Sequence, residues 1–411
     1  MTDPRTTYDH VLVGGGMTAD AAAKAIHEVA PDATVLVVSR DVDEPYTRPA
    51  LSKKLLTDPD YTEADNDLGT RGASGAEIRL RTSVTAVDRD ARTVTLSDGD
   101  VVGYGRLLLA TGGTPADLGL PTDDRVIAFR TAEDYRRLRA ASGDGRHVAV
   151  VGGSYIGSEI AAALVQNDTR VTLVFPDDVL GGSVFPPELA RRFAALFEEA
   201  GVQLVGGHRV TGGTVDDAGV HLSLEAEDGA ADAGDEPLDA DAVVVGLGIS
   251  PDTGLAEAAG LAVDDGIVVD ERLRTDDEHV FAAGDVASYP DRILGRRRVE
   301  HVDNAKEQGA AVGRAMGGSD EPYAHTPYYY SKVLGLSYEA VGTLDASLET
   351  VVDEQGDDRA VVYYLDEGTV VGVLLWNVEG ARDAARDVLA HASELTREDL
   401  PGRIRGERAG A

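Results

Sequence analysis

The 411 residues include no cysteine. That removes redox disulfides, thiolate nucleophiles, iron–sulfur ligation and cysteine-based zinc sites at once. Lysine is nearly missing too: Lys24, Lys53, Lys54, Lys306 and Lys332 are the only ones, and arginine supplies the other basic charge. No apolar stretch reaches the roughly 20 residues needed to span a bilayer. Met1-Thr2-Asp3-Pro4-Arg5 runs into the first strand without a signal-like apolar region. These absences predict a soluble, cytoplasmic protein without a membrane span.

Positive charge is scarce as a whole, with 73 acidic residues against 38 basic ones and a formal net charge of −35. The excess is spread along the entire chain. It reads as the diffuse acidic surface of a halophile, for a cytoplasm in which the Debye length falls to about 3 Å at molar salt and self-repulsion is screened. A nucleic-acid partner is disfavoured, because its phosphates would meet a negative field.

What the chain does have is glycine at two telling places. Gly14-Gly15-Gly16-Met17-Thr18-Ala19 follows the apolar run His10-Val11-Leu12-Val13 and opens an alanine-rich helix. A second copy, Gly152-Gly153-Ser154-Tyr155-Ile156-Gly157, follows Val148-Ala149-Val150-Val151. A parallel strand that turns tightly on glycine into a helix presents unpaired N–H groups and the positive end of the helix dipole, which together hold a pyrophosphate. Strand before and helix after is the context that lifts such a motif above a flexible glycine loop. Two elbows predict two dinucleotides.

The remaining segments give an α/β chain of two or three domains. Thr34–Ser39 continues a Rossmann-type parallel sheet, Thr93–Leu96 is a small antiparallel strand, and Arg106–Gly113 is a buried strand ending in a glycine turn. The second unit includes Val171–Val174, a helix over Pro187–Ala200 with apolar spacing at Leu189, Phe193, Leu196 and Phe197, and the strand Asp241–Gly246. Asp228–Asp239 reads as a solvated hairpin tip. His279–Asp285 is a further strand ending in Gly-Asp and is assigned back to the first domain. The expected division is therefore 1–120 with 247–320, an inserted 121–246, and an α+β domain over 321–411 that contains Trp376 in its core and ends in a poorly ordered tail from Glu407.

Read in order, Pro45–Lys53, Leu109–Pro115, Leu294–His301 and Tyr338–Gly342 resemble segments of the FAD-dependent pyridine nucleotide oxidoreductases of the glutathione-reductase-type fold. Within that group they are most similar to the ferredoxin reductase and apoptosis-inducing factor branch, and the resemblance covers nearly the whole chain. It implies one tightly held FAD and one exchangeable NAD(H).

On the FAD side the resemblance assigns Gly14, Gly16, Met17, Thr18 and Ala19 to the pyrophosphate, with Arg48, Val84, Ala110, Thr111 and Gly112 around the cofactor. Asp285, after Gly284, takes the ribityl chain; the same aspartate can also cap the helix after it. Relatives place a glutamate at the end of the second strand, where this chain has Arg40 followed by Asp41. Either Asp41 substitutes or that ribose contact is missing.

On the NAD side the resemblance assigns Gly152, Ser154, Tyr155, Ile156, Gly157 and Gly248, and Asp177 as the acid that takes the adenosine ribose and favours NADH over NADPH. Ser154 stands where a middle glycine is usual. Asp177 reads equally as an ordinary loop acid in so acidic a chain.

Lys53 is the basic residue singled out for the flavin edge, in a pair with Glu159 that links the two nucleotide domains; a charge there stabilises incoming electron density. Glu300 and His301 match a pair beside the nicotinamide, with a helix over Val302–Met316 starting at the flavin pyrimidine; His301 also fits a purely structural hydrogen-bonding role. Tyr329 and Tyr330 match an aromatic pair that covers the flavin, or else pack as core.

Together these imply hydride transfer from NADH to FAD and onward transfer to a one-electron carrier such as a small iron–sulfur protein. The lack of cysteine excludes the disulfide-reductase branch. The second reading is an NADH-responsive redox sensor or assembly protein like the apoptosis-inducing factor. The resemblance allows a homodimer.

Overall fold

Val11, Leu12 and Val13 are apolar in unbroken succession because their strand is covered on both faces, as central strands of parallel sheets are. The computed structural model describes residues 6–227 and 237–408. It divides into two compact units. The first contains the chain up to Arg48, Thr62–Thr114 and Ser250–Pro327; the second contains Pro49–Tyr61, Pro115–Ile249 and the chain from Tyr328.

In the first unit the strand order is Glu77–Arg79, Val35–Val38, Thr7–Val13, Val101–Leu109, Thr93–Leu96, Val84–Asp88. Val101–Leu109 is long enough to do two things. It runs parallel to Thr7–Val13 and antiparallel to Thr93–Leu96. Val280–Ala282 returns to pair in parallel with its last three residues, Ala282 opposite Leu109. The turns at Thr111-Gly112 and Gly284-Asp285 therefore leave the sheet side by side.

Three helices frame the candidate sites: α1 (Met17–Val29), α2 (Tyr155–Val165) and α3 (Val302–Met316). α3 lies on α1 with almost no side chain between them. A Cβ on Gly309 would sit 2.5 Å from Thr18 O, and one on Gly313 would sit 2.4 Å from Ala22 O. Gly317, just past the end of α3, meets the Val29 side chain instead. At Gly309 and Gly313, four residues apart on α3, small residues of α1 lie opposite, so the backbones touch.

The second unit has a parallel sheet in the order Gln203–Val205, Arg170–Val174, His147–Val151, Ala242–Val245, Val126–Ala128. An antiparallel trio, His208–Val215, Val220–Ala226 and Leu238–Ala240, flanks it. The C-terminal residues form an antiparallel sheet, Tyr328–Val333, Leu336–Gly342, Thr369–Trp376, Arg359–Asp366, Glu349–Gly356, with a helix over Arg382–Ala390. Trp376 is buried there, stacked on Tyr338 and edge-on to Phe185.

Three segments differ from expectation. Pro49–Tyr61, expected within 1–120, belongs to the second unit, where Leu55 O accepts the Tyr135 hydroxyl. Glu407–Arg408, expected as the start of a poorly ordered tail, pairs with Val378–Glu379 as a short antiparallel ladder, and 409–411 lie outside the described residues. Of the expected hairpin tip, 228–236 lie outside the described residues, while Leu238–Ala240 is strand. Among the described residues no helix is long and apolar enough to cross a membrane.

Candidate functional site

The first elbow is shaped by steric exclusion. Gly14 has φ +123°, and a Cβ there would lie 2.1 Å from Ala110 O, so only glycine fits. Gly16 is different. A Cβ on it would meet a single neighbour, Arg48 Nε, 3.9 Å away. The space it leaves opens in front of α1, whose first turn has no side-chain cap hydrogen bond and whose first internal bond is Asp20 N–H to Gly16 O. Uncapped N–H groups, a helix dipole and a nearby guanidinium make a cradle that fits a pyrophosphate. Met17, Thr18 and Ala19 are buried beneath it.

Around this cradle the structure gathers the other residues of the first unit. Gly284, at φ +80°, packs against the Thr18 side chain, and its N–H donates to the buried Gln308 side chain at 2.8 Å. Asp285 comes next, its carbonyl accepting from Arg298 Nη1 at 3.2 Å. The same Arg298 group holds Glu300 at 2.5 Å, so Asp285 and Glu300 share one cation. His301 is the N-cap of α3, and its Nδ1 accepts the Asp303 N–H at 3.2 Å. That bond fixes the proton of a neutral ring on Nε2. The structural role open to His301 is thus present in its geometry.

The second strand ends on Ser39, with Arg40 and Asp41 beyond it. Asp41 is committed locally: Oδ2 accepts from Tyr46 Oη at 3.0 Å and lies 3.9 Å from Arg48 Nη2, and Oδ1 accepts from Asp43 N at 3.3 Å. Arg40 reaches the other way, to Asp252 Oδ2 at 3.2 Å. Asp252 is pinned by its backbone, its N–H to Gly112 O and its carbonyl to Thr111 Oγ1. Val84, at the head of its strand, is buried.

The second elbow uses the same logic with one change. Gly152, at φ +110°, would bring a Cβ 2.5 Å from Gly246 O, and a Cβ on Gly157 would lie 1.9 Å from Gly152 O. Ser154 caps α2: its Oγ accepts from Gly157 N at 3.4 Å and donates to Gly246 O at 2.6 Å. The extra side chain is turned onto the end of the neighbouring strand. Tyr155, Ile156 and Leu247 are among the few large apolar residues exposed in the described chain, and a Cβ on Gly248 would meet nothing. An open glycine bend rimmed by exposed apolar groups suits the flat rings of a dinucleotide. Asp177 lies three residues past the strand Arg170–Val174, and its Oδ2 accepts the Ser183 N–H at 3.1 Å.

Lys53 Nζ stands 2.5 Å from Glu159 Oε1 on α2. Both residues belong to the second unit, so the pair ties a loop to a helix inside one unit, where a link between two was expected. Glu159 is only 5% exposed and takes two further donors, Ser52 Oγ and Ser331 Oγ, each at 2.7 Å. A buried carboxylate is tolerable only when charge and lone pairs are both answered; here a cation and two hydroxyls do so. Lys53 Nζ also lies 5.7 Å from the centre of the Tyr330 ring, a cation–π distance. Burial pushes the Tyr330 phenol up from its ordinary range, with Tyr328 and Glu159 adding to the effect, so the ring stays neutral. Ser52, Ser331, Gln308, Arg298 and Asp252 are members of these networks that sequence reading missed.

Two glycine cradles, each on a strand-to-helix turn and neither accompanied by a thiol, define an FAD-dependent oxidoreductase that uses a pyridine nucleotide. The chain belongs to the pyridine nucleotide-disulphide oxidoreductase family, whose model matches residues 8–309. It is 36% identical to the ferredoxin–NAD(+) reductase component of an anthranilate 1,2-dioxygenase system from Burkholderia cepacia, over 92% of this chain and 93% of that protein. It is 32% identical to apoptosis-inducing factor 1 of Dictyostelium discoideum, over 96% and 80% respectively. Among solved structures, putidaredoxin reductase in its covalent complex with putidaredoxin superposes with a TM-score of 0.83 at 28% identity, covering 95% of this chain and 94% of that one.

Proposed function

We propose that the chain is an NADH-dependent reductase that passes electrons through FAD to a one-electron carrier of the ferredoxin type. The observation that carries this reading is the pair of glycine cradles in a chain without cysteine, matched over nearly its full length to a ferredoxin–NAD(+) reductase component. The cradle at Gly14 and Gly16 would hold FAD, in a domain drawn from 1–120 and 247–320 apart from Pro49–Tyr61. The cradle at Gly152, Ser154 and Gly157 would hold NADH, within 121–246. Bound FAD supplies the exchange between a two-electron donor and a one-electron acceptor.

The chain's own residues have the remaining roles. Backbone N–H groups at the start of α1 and the Arg48 guanidinium bind the pyrophosphate. Asp285 and Glu300, bridged by Arg298, orient the sugar and ring end. Lys53, held by Glu159, presents a fixed positive charge. Asp177 repels a ribose phosphate and selects NADH. Residues 321–411 form the third domain, beside which the carrier docks.

Anaerobic mixing tests the reading. NADH is expected to bleach the flavin rapidly, and an oxidised two-iron ferredoxin to restore its colour rapidly. A protein that retains no flavin, or whose flavin NADH does not reduce, refutes it. The similarity to apoptosis-inducing factor 1 favours one other reading, a redox sensor; slow reduction, a long-lived charge-transfer band and dimer formation on reduction would select that reading instead.

A further inference from the structure

Asp177 opens a loop that leaves one sheet and is tied down on another. Its Oδ2 accepts the Ser183 N–H at 3.1 Å. Between the two the chain turns tightly: Gly182 N–H donates to Val179 O at 2.8 Å, and the Val184 and Phe185 N–H groups donate to Gly181 O at 3.0 and 2.8 Å. Leu180, wholly buried, lies against the second elbow, where a Cβ on Gly153 would come within 3.1 Å of it. The far end of the loop belongs to the C-terminal sheet. Ser183 O accepts the Ala346 N–H at 2.9 Å, Val184 O accepts the Tyr364 hydroxyl at 2.8 Å, and the Phe185 ring stands edge-on to Tyr338 and Trp376. All of these residues lie within the second unit.

We propose that Tyr364 is a positioning residue of the nucleotide site: from the C-terminal sheet it holds the loop at Val184, and so fixes where Asp177 presents its carboxylate to the adenosine ribose. The inference rests on the reading of the second cradle as the NADH site. Tyr364 is wholly buried, and its ring would fill the same space without the hydroxyl. That hydroxyl reaches across 180 positions of sequence to one carbonyl of the loop. Burial pushes the phenol well above its ordinary range, so it stays a donor. Ser183 is held on both sides, its N–H by Asp177 and its carbonyl by Ala346. A carboxylate offers about four acceptor sites; the bond from Ser183 orients Asp177 and leaves capacity for the two hydroxyls of a ribose. A side chain fixed in one rotamer before its ligand arrives loses less freedom on binding, and a contact to two hydroxyls at once tolerates only about 0.5 Å of displacement.

Calorimetric titration of the flavin-loaded full chain at one fixed salt concentration tests this without turnover. The probes are 1,4,5,6-tetrahydro-NAD and 1,4,5,6-tetrahydro-NADP, reduced analogues with no hydride to give, and the ratio of their affinities reads the ribose contact. Tyr364→Phe is expected to weaken the first about threefold, within the scale of one hydrogen bond, and to leave the second unchanged. Asp177→Ala is expected to lower the ratio about tenfold, and Tyr364→Phe to add nothing in that background, because the group it positions is gone. Tyr363→Phe removes an equally buried hydroxyl from the opposite face of the same strand, and is expected to leave the ratio as it is. Phe185→Leu slackens the same anchor at its ring and is expected to act like Tyr364→Phe; it decides the matter where the tyrosine variant does not fold.

An unchanged ratio in Tyr364→Phe overturns the proposal, as does an equal fall in Tyr363→Phe or a further fall in the Asp177→Ala background. An unchanged ratio in Asp177→Ala removes the ribose role of Asp177 and the proposal with it. A flavin-loaded chain that binds neither analogue instead refutes the NADH reading, so the failures are separate.

Discussion

Replacing Lys53 with methionine removes the one formal cation paired with a buried carboxylate among the described residues, while keeping most of the volume. Charges 2.5 Å apart attract by roughly 6 to 7 kcal/mol at an effective dielectric of about 20, and desolvation offsets much of that in the intact pair. Breaking a buried pair from one side strands the other charge, at about 3 to 5 kcal/mol. Lys53 is itself 22% exposed and Ser52 and Ser331 still donate to Glu159, which sets the expected loss near the lower end, about 3 kcal/mol. Glu159→Gln leaves an ammonium that reaches solvent, and should lose only about 1 kcal/mol, the scale of one hydrogen bond. The double variant strands no charge and should recover about 2 kcal/mol relative to the sum of the singles. Urea unfolding at one fixed salt concentration measures all four proteins. If Lys53→Met loses no more than Glu159→Gln, or if the two losses simply add, the buried-charge argument is wrong.

Gly309→Ala puts a methyl 2.5 Å from Thr18 O, and is expected to lower stability by about 1 to 3 kcal/mol and to speed flavin release; unchanged unfolding together with unchanged release would refute the close-contact account. His10 is held down to about 4 by burial, with the Arg106 charge adding to the effect. Because the unfolded imidazole, near 6.5, binds its proton first, stability should fall as pH drops from about 6.5 to about 4, by up to about 3 kcal/mol. Acid unfolding of His10→Asn should lack that loss, and a curve that matches the parent protein would count against it. Asp177→Ala should raise the affinity for NADPH relative to NADH by about tenfold, read by titration of each nucleotide. The net charge of −35 predicts a melting temperature that climbs between dilute and molar KCl; a flat or falling curve would rule out salt adaptation as the reason for the acidity.

Local chemistry makes parts of this molecule readable. Both elbows announce themselves because the glycine, the preceding apolar run and the succeeding helix all lie within a few residues of one another, and α3 begins at the expected Val302 and ends at Met316. Ser154 reads in sequence as a foreign side chain at a ligand's approach; its bond to Gly246 O crosses 92 positions, and no local pattern carries that. The same holds for Asp252, which meets Arg40 across 212 positions, and for Ser331, which meets Glu159 across 172. Such partners are chosen by strand order. Gly309 and Gly313 are visible as a spaced pair, yet glycine in a helix also reads as poor propensity, and only the neighbouring alanines of α1 make them a contact surface. The aspartates and arginines of the first unit are legible as types and not as pairs, since in so charged a chain every acid has several candidate partners.

The bare seam between α1 and α3 has a mechanical consequence. With backbone seated on backbone at two successive turns, at Gly309 and Gly313, neither rod can slip lengthwise or roll without collision. The mouth of α1 and the His301 end of α3 therefore move as one rigid jaw. A prosthetic group gripped there would be released by melting of the jaw and not by its opening, so its rate of escape should follow the unfolding rate of the first unit through every change of temperature or denaturant.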